Sequence, residues 1–132
     1  MRRFLLAFLA ALLVLGVGRA MAGEVVITDT AIEPSVLRVP TGARVDFINR
    51  ARRNVHVEFG TAPRQHRVVQ VPLTGPIWVV FHRPGTHPYV VHIWDDRLPT
   101  TLAGVIEVVD DPTNPPKSST CGVVVEGNCI ER

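Results

Sequence analysis

The sequence predicts an all-β domain, a sandwich or barrel of about seven or eight short strands. Short segments rich in β-branched residues recur at regular spacing between Pro, Gly, Asn and Asp residues. Several of these segments alternate apolar and polar side chains, as half-buried strands do. No segment after residue 22 carries a convincing helical period.

Eight segments have this strand character. In chain order they are Val25–Thr28, Val36–Val39, Arg44–Ile48, Val55–Phe59, Arg67–Val71, Ile77–His82, Tyr89–Ile93 and Val105–Val109. Alternation within the fourth segment places its two valines and Phe59 on one face, and His56 and Glu58 on the other. One face of the segment is therefore expected to be buried and the other polar.

The first 22 residues have the pattern of an export signal peptide. Two arginines precede an apolar run from residue 4 to residue 17, and Ala20-Met21-Ala22 then forms a small-x-small cleavage site. The apolar run is shorter than the roughly 20 residues of a membrane-spanning helix. We expect cleavage before Gly23, no membrane anchor, and a periplasmic or secreted protein.

Charge and motifs narrow the classes of function. Removal of the signal reduces the 14 basic residues to 11, against 12 acidic ones, so the formal charge becomes −1. Without a run of Lys or Arg, this balance argues against nucleic acid or a membrane surface as a partner. No hydrolase motif and no Gly-rich phosphate loop is found, so we predict that the chain is not an enzyme.

The chain after residue 22 is long enough for one domain, which we expect to span residues 23–109. Residues 110–132 then form a Pro-rich linker and a tail that contains both cysteines, Cys121 and Cys129. In an exported protein such a pair is expected to form a disulfide. The β-prone run Val123–Val125 and the turn signal Gly127-Asn128 predict a small hairpin clipped by that disulfide.

Three motifs in order carry a resemblance to a known family. Residues 32–49 hold two strand segments around Pro40-Thr41-Gly42 and end in Phe47-Ile48-Asn49, residues 84–86 read Pro-Gly-Thr, and Gly104-Val105-Ile106 opens the last strand segment. This pattern resembles the cupredoxins, the plastocyanin- and amicyanin-like small blue copper proteins. The resemblance implies a Greek-key β-sandwich and, in typical members, a copper site used for electron transfer.

The resemblance breaks at the copper ligands. A blue, type 1 copper site uses a thiolate, two imidazoles and a weak axial Met. In the register of the resemblance, the thiolate position falls on Val91, the axial position on Leu102 and the first imidazole on Arg53, although a small shift in that loop would offer His56 instead. The resemblance therefore implies a degenerate type 1 site.

A site built from imidazoles is the remaining route to metal binding. Neutral imidazoles hold Cu(II) or Zn(II) without a thiolate, and Asp95 or Asp96 could add an oxygen ligand. The candidate metal ligands are His56, His87 and His92. His87 and His92 are five residues apart and face opposite ways in a regular strand, so they converge only if the alternation is broken.

The other polar and aromatic candidates have simpler explanations. His66 is expected to be solvated, and His82 to be packed with one ring nitrogen satisfied. Asp95-Asp96-Arg97 is expected to be a charged loop tip. Trp94 is either a half-buried loop anchor or part of a partner surface.

Two functions follow from this sequence. The first is an exported cupredoxin-like protein that binds copper through histidines and serves copper handling or a redox chain, with a periplasmic redox protein or a membrane complex as partner. The alternative is a metal-free binding module that uses the same sandwich as a scaffold.

Overall fold

The computed structural model describes residues 23–60, 66–70, 75–94, 97–110 and 121–131. The expected signal peptide and nearly all of the expected linker lie outside these residues. The described residues form eleven strands, and none of their segments is a helix able to cross a membrane. The strands are β1 (Gly23–Ile27), β2 (Ile32–Glu33), β3 (Val36–Pro40), β4 (Arg44–Asn49), β5 (Val55–Phe59), β6 (His66–Gln70), β7 (Ile77–Phe81), β8 (Gly85–Ile93), β9 (Thr100–Val109), β10 (Val123–Val125) and β11 (Asn128–Glu131).

The strands form two sheets that pack as a β-sandwich. The six-stranded sheet has the order β11-β10-β7-β4-β1-β2, and the five-stranded sheet has the order β3-β9-β8-β5-β6. The pairs β1–β4 and β3–β9 are parallel, whereas the other pairs are antiparallel. The predicted all-β sandwich is confirmed, and each of the eight predicted segments overlaps a strand.

The core lies between the sheets and is built from alternate residues of each strand, as period-2 alternation requires. At its centre, the ring of Phe47 meets the rings of Phe59 and Tyr89 edge-on, at centroid distances of 5.3 and 5.1 Å. Such aromatic pairs add about 0.5–1.5 kcal/mol each beyond area burial. These rings join the two sheets, because Phe47 belongs to β4 whereas Phe59 and Tyr89 belong to β5 and β8.

Tyr89 is packed against the backbone of β9. Its register partner is Gly104, and a Cβ atom at that position would overlap the phenol ring. Glycine is therefore required at position 104 because the ring fills the space that a side chain would occupy. The Tyr89 hydroxyl is buried and has no hydrogen-bond partner among the described residues.

The cysteine tail belongs to the packed domain. Strand β10 pairs with β7, and Val123 and Val125 are buried in the core. The core therefore extends beyond Val109, where the sequence led us to expect its end. The physical reason is that β7 offers an open edge and the tail offers two apolar side chains on one strand face.

The predicted disulfide is confirmed and clips the β10–β11 hairpin. Cys121 and Cys129 are bonded, with their Cα atoms 5.8 Å apart. The turn lies at Glu126 and Gly127, which both have positive φ, one residue earlier than the predicted Gly127-Asn128 turn. A two-residue hairpin turn of this kind places its glycine second, which leaves Asn128 to begin β11.

Candidate functional site

The two positions that the resemblance aligns with the thiolate and the axial ligand of a blue copper centre, Val91 and Leu102, are apolar. Val91 is completely buried, and its register partner across β8 and β9 is Leu102, which packs against the same core. Neither side chain has a donor atom for a metal. The residues at this interior position therefore do not fit a copper ion, and the space is filled by hydrocarbon.

The loop before β5 is organised by Asn49. Its side-chain amide donates to the Arg53 carbonyl at 2.9 Å, and its side-chain oxygen accepts from the Ala51 amide at 2.9 Å. These two bonds fold residues 50–54 into a compact turn, as Asn side chains do in loops. Arg53, at the position of the first imidazole in the resemblance, has an exposed side chain here.

The connection between β8 and β9 is short. Strand β8 continues to Ile93 and β9 begins at Thr100, so six residues connect them. The two strands pair throughout, up to the pair Ile93 and Thr100. The expected charged loop tip at Asp95 and Asp96 lies outside the described residues.

His56 and His92 form a cross-strand pair on the outer face of the five-stranded sheet. They are register partners on the antiparallel strands β5 and β8. Their neighbours in sequence, Val55, Val57, Val91 and Ile93, point into the core. Directly opposite residues of this kind have Cβ atoms about 4.5–5.5 Å apart, so the two imidazoles are neighbours.

A carboxylate and a guanidinium lie beside the two imidazoles. Glu58 of β5 is only 8% exposed, and Arg67 of β6 donates from Nη2 and Nε to its Oε2 atom at 2.8 and 3.2 Å. His92 places Nε2 3.6 Å from the same oxygen, and its Nδ1 lies 3.3 Å from the Thr101 hydroxyl. We call His56, Glu58, Arg67, His92 and Thr101 the outer-face cluster.

Electrostatics set the charge states in the outer-face cluster. The hydrogen bonds from Arg67 are the main cause that lowers the pKa of Glu58, against an opposing effect of burial, so this carboxylate is ionised at neutral pH. Burial, followed by the charges of Arg67 and His92, lowers the pKa of His56 below its ordinary value of 6.5. His56 is therefore neutral at pH 7, which is the form that binds a metal.

One ring nitrogen of His56 has an unmet bonding requirement. Its Nδ1 atom is buried and has no hydrogen-bond partner among the described residues. A buried polar atom without a partner costs about 1–3 kcal/mol. Trp94 lies against the same imidazole, with ring centroids 5.7 Å apart. The nitrogen therefore has no partner among the described residues that a metal ion would have to displace.

His87 does not join the other two candidate ligands. It lies five residues before His92 on β8, about 17 Å along a regular strand, and β8 shows no register shift along that length. Its Nε2 atom is 2.8 Å from the Arg83 carbonyl, and its ring packs on Phe81. The alternation therefore holds, and His87 faces the core side of the sheet at its far end.

The remaining histidines also lie away from the outer-face cluster. His66 begins β6 opposite Phe59, and His82 follows β7, where its backbone amide donates to the Gly122 carbonyl at 2.8 Å. Within the ranges that the structure describes, no three His, Cys, Asp or Glu side chains are arranged to hold a metal ion. The histidine pair is the arrangement of candidate ligands that the fold brings together.

Sequence reasoning missed Arg67 and Thr101 as members of this cluster. The alternation in β5 already placed His56 and Glu58 on one face, but their partners on β6, β8 and β9 depend on the strand register. The pairing Glu58–Arg67 and the pairing His92–Thr101 follow directly from that register. An opposite-charge pair at matching positions of two predicted neighbouring strands was the available signal.

Solved structures with a similar fold are cupredoxins. The structure superposes with a TM-score of 0.53 on the reduced Cu(I) form of an amicyanin variant, at 23% sequence identity over 67% of this chain and 82% of that one. A second, oxidized amicyanin variant gives a TM-score of 0.51 at 22% identity over the same shares of the two chains. A purple cupredoxin from Nitrosopumilus maritimus gives 0.50 at 13% identity over 66% of this chain and 99% of that one.

Sequence comparison adds nothing to this likeness, because neither a protein-family model nor a curated protein matches the chain. The strand order, the two mixed sheets and the structural likeness nevertheless agree with the resemblance carried by the three sequence motifs. The chain has a cupredoxin-like fold.

Proposed function

We propose that this chain is an exported cupredoxin-fold protein that binds copper through His56 and His92 and serves copper handling or a periplasmic redox chain. The observation that carries the proposal is the cross-strand histidine pair with its buried, unpartnered His56 nitrogen. Two imidazoles are suitable ligands for copper without a thiolate. In this proposal the chain is a binding protein and not an enzyme.

The proposed site differs from a blue centre in position and in chemistry. It lies on the outer face of the five-stranded sheet, whereas Val91 and Leu102 fill the interior position. Electron-transfer sites in blue copper proteins combine a thiolate with two imidazoles and a weak axial ligand. Imidazole ligation without a thiolate favours reversible loading and transfer of the ion, which is why copper handling is the first use we propose.

Copper titration of residues 23–132 tests the site. We expect one equivalent of Cu(I), titrated without oxygen against a competing chelator, to bind, and we expect binding to be lost in the double variant His56→Ala and His92→Ala. His87→Ala is the matched control, because His87 lies on the other face and should leave binding unchanged. Loss of binding in the control, or full binding in the double variant, would refute the proposed ligands.

Export is a second part of the proposal, and it depends on the sequence of residues 1–22. Expression of the full chain with fractionation should yield a product in the periplasm or the medium that begins at Gly23. A product that retains Arg2 and Arg3 in the cytoplasmic fraction would refute this part while leaving the metal site untouched.

One observation favours the alternative, a metal-free module that contacts another protein. Trp94 is 55% exposed and Leu98 is 76% exposed, and both belong to the short connection between β8 and β9. Exposed large apolar side chains at one end of a sandwich are typical of an interaction surface. If the wild-type protein binds neither copper nor zinc in the titration, this alternative replaces the first proposal.

A further inference from the structure

The carboxylate of the outer-face cluster is the group that decides which metal the site accepts. Two imidazoles alone suit Cu(I), a monovalent ion that is stable with two ligands, whereas Zn(II) in proteins takes four ligands in a tetrahedron. A carboxylate added to the two imidazoles would supply an oxygen ligand of the kind found in zinc sites. The availability of Glu58 therefore controls selectivity.

Glu58 is close to the imidazoles but is already engaged. Arg67 donates two hydrogen bonds to Oε2, and His92 Nε2 is 3.6 Å from that same oxygen. The oxygen nearest the proposed ligand is therefore the one that the guanidinium holds. A metal ion on His92 that took this oxygen as a further ligand would have to share or displace the hydrogen bonds from Arg67.

Replacement of the Arg67 guanidinium by a metal ion at the Glu58 carboxylate is unfavourable. Glu58 is 8% exposed, so its charge has lost most of its hydration and depends on the ion pair. The guanidinium also places a positive charge beside the imidazoles, and its influence reaches His56. That charge opposes a dication more strongly than a monovalent ion, because Coulomb repulsion scales with the charge of the bound ion.

We propose that Arg67 is a metal-specificity residue that excludes Zn(II) by keeping Glu58 bound to its guanidinium, which leaves a two-imidazole site for copper. This inference rests on the proposed function, since it assigns His56 and His92 as the ligands. It adds that the ion pair beside them sets the ligand number. Arg67 acts through Glu58 and is a positioning residue.

The test compares the Zn(II) and Cu(I) affinities of four proteins. They are the wild type, Arg67→Met, Glu58→Gln and the variant that combines Arg67→Met with Glu58→Gln. Zn(II) is titrated by calorimetry, and Cu(I) is titrated without oxygen against a competing chelator. In Arg67→Met we expect Zn(II) affinity to rise by about 10- to 100-fold, the size of effect typical of groups that orient a metal ligand. The ratio of Zn(II) affinity to Cu(I) affinity should rise as well. The variant that combines Arg67→Met with Glu58→Gln should have no increase in Zn(II) affinity.

Arg44→Met is the matched control. Arg44 lies on the six-stranded sheet, pairs with Asp46 at 2.7 Å and is about as exposed as Arg67, at 51% against 53%. Its removal changes the net charge equally and should leave both affinities unchanged. Circular dichroism and thermal unfolding check that each variant is folded.

The outcomes separate the two proposals. If the wild type binds copper but Arg67→Met gains no Zn(II) affinity, the inference is overturned and the proposed function stands. The same conclusion follows if the gain persists when Glu58→Gln is combined with Arg67→Met. If the wild type binds no copper, the proposed function fails and the inference fails with it, whatever Arg67→Met binds. If neither protein binds metal, both are overturned.

Discussion

Tyr89 shows at the scale of one residue how a core can hold an unpaired polar atom. Its ring is enclosed by Phe47, Phe59 and the backbone of Gly104, while its hydroxyl has no hydrogen-bond partner among the described residues. Burial without a partner raises the pKa of this phenol well above its ordinary value. The hydroxyl therefore stays protonated, and its desolvation without a partner opposes the stability that the ring contributes.

Replacement of Tyr89 by Phe should be neutral or stabilise the protein by about 1 kcal/mol, because it removes a desolvated hydroxyl and keeps the ring contacts. The measurement is the free energy of unfolding in urea. Gly104→Ala, which forces a side chain into the ring, should instead destabilise by about 1–3 kcal/mol. A large loss of stability in Tyr89→Phe would show that the hydroxyl has a partner such as a buried water.

His56 makes stability depend on pH in the metal-free protein. Its pKa is lowered in the folded state by burial, then by the charges of Arg67 and His92, so the folded protein binds this proton less tightly than the unfolded chain does. The stability associated with the neutral ring is fully present above about pH 6.5, the ordinary value, and is lost as the pH falls through the lower folded-state pKa.

The pH dependence can be assigned with one variant. Between pH 8 and pH 5, the free energy of unfolding of the wild type should fall more steeply than that of His56→Gln, which has no titrating ring. The window stays above the range in which Glu58 titrates, because the pKa of that carboxyl is itself lowered from 4.5. Parallel profiles for the two proteins would show that His56 does not carry the effect.

Strand alternation predicted some features of the site, and register decided the others. The opposite facing of His87 and His92 and the shared face of His56 and Glu58 follow from period 2 alone. Which residues of β6 and β9 lie beside them requires the strand order, which involves contacts between distant parts of the chain. The ion pair of Glu58 with Arg67 could not be deduced without it.

The clipped hairpin is the element whose position the sequence left open. Its disulfide and its two strands were predicted, but its pairing with β7 was not, because a short hairpin carries no signal for the strand edge that it joins. Arg83 of the β7–β8 connection also contacts this element, with Nη1 3.1 Å from Glu131. A surface ion pair of this kind contributes about 0–1 kcal/mol, so burial of the valines holds the element in place.

Replacement of both Cys121 and Cys129 by Ala should destabilise the protein by about 2–3 kcal/mol, because the disulfide closes a short loop in the unfolded chain. Backbone amides of β10 and β11 should lose protection from hydrogen exchange before those of β4. Unchanged protection in the hairpin would show that its packing alone holds it, and that the disulfide adds no local restraint.

At the scale of the whole molecule, the sandwich depends on its last strands. Removal of residues 110–132 would leave the domain that the sequence predicts, but it would also remove Val123 and Val125 from the core. Burial of one Val side chain contributes about 1.5–3 kcal/mol. We expect the truncated chain to be destabilised by several kcal/mol, as measured by thermal and urea unfolding.

A pair of point variants keeps this prediction testable even if the truncated chain does not fold. Val125→Asp places a charge in the core and should unfold the hairpin or the domain, whereas Val124→Asp points outward and should be tolerated. Equal stability of the two variants, or full stability of the truncated chain, would contradict the role assigned to β10.

The overall fold was predictable because it depends on a repeated pattern, whereas the site depends on single substitutions. Eight segments with one apolar face each, together with three motifs in order, were enough for the cupredoxin-like sandwich. The apolar residues Val91 and Leu102 at the interior position could be read from the sequence as well. The outer-face cluster could not, since its members on β6 and β9 are set by strand register.

The pairing of β10 with β7 also bears on when the protein can fold. Synthesis proceeds from the N-terminus, so β7 is complete about 40 residues before the strand that covers its edge emerges. During that interval the edge of β7 and the inner face of the sheet lack their final cover. The six-stranded sheet is therefore completed only after β10 has emerged, and a chain released before then would expose an open strand edge prone to intermolecular pairing.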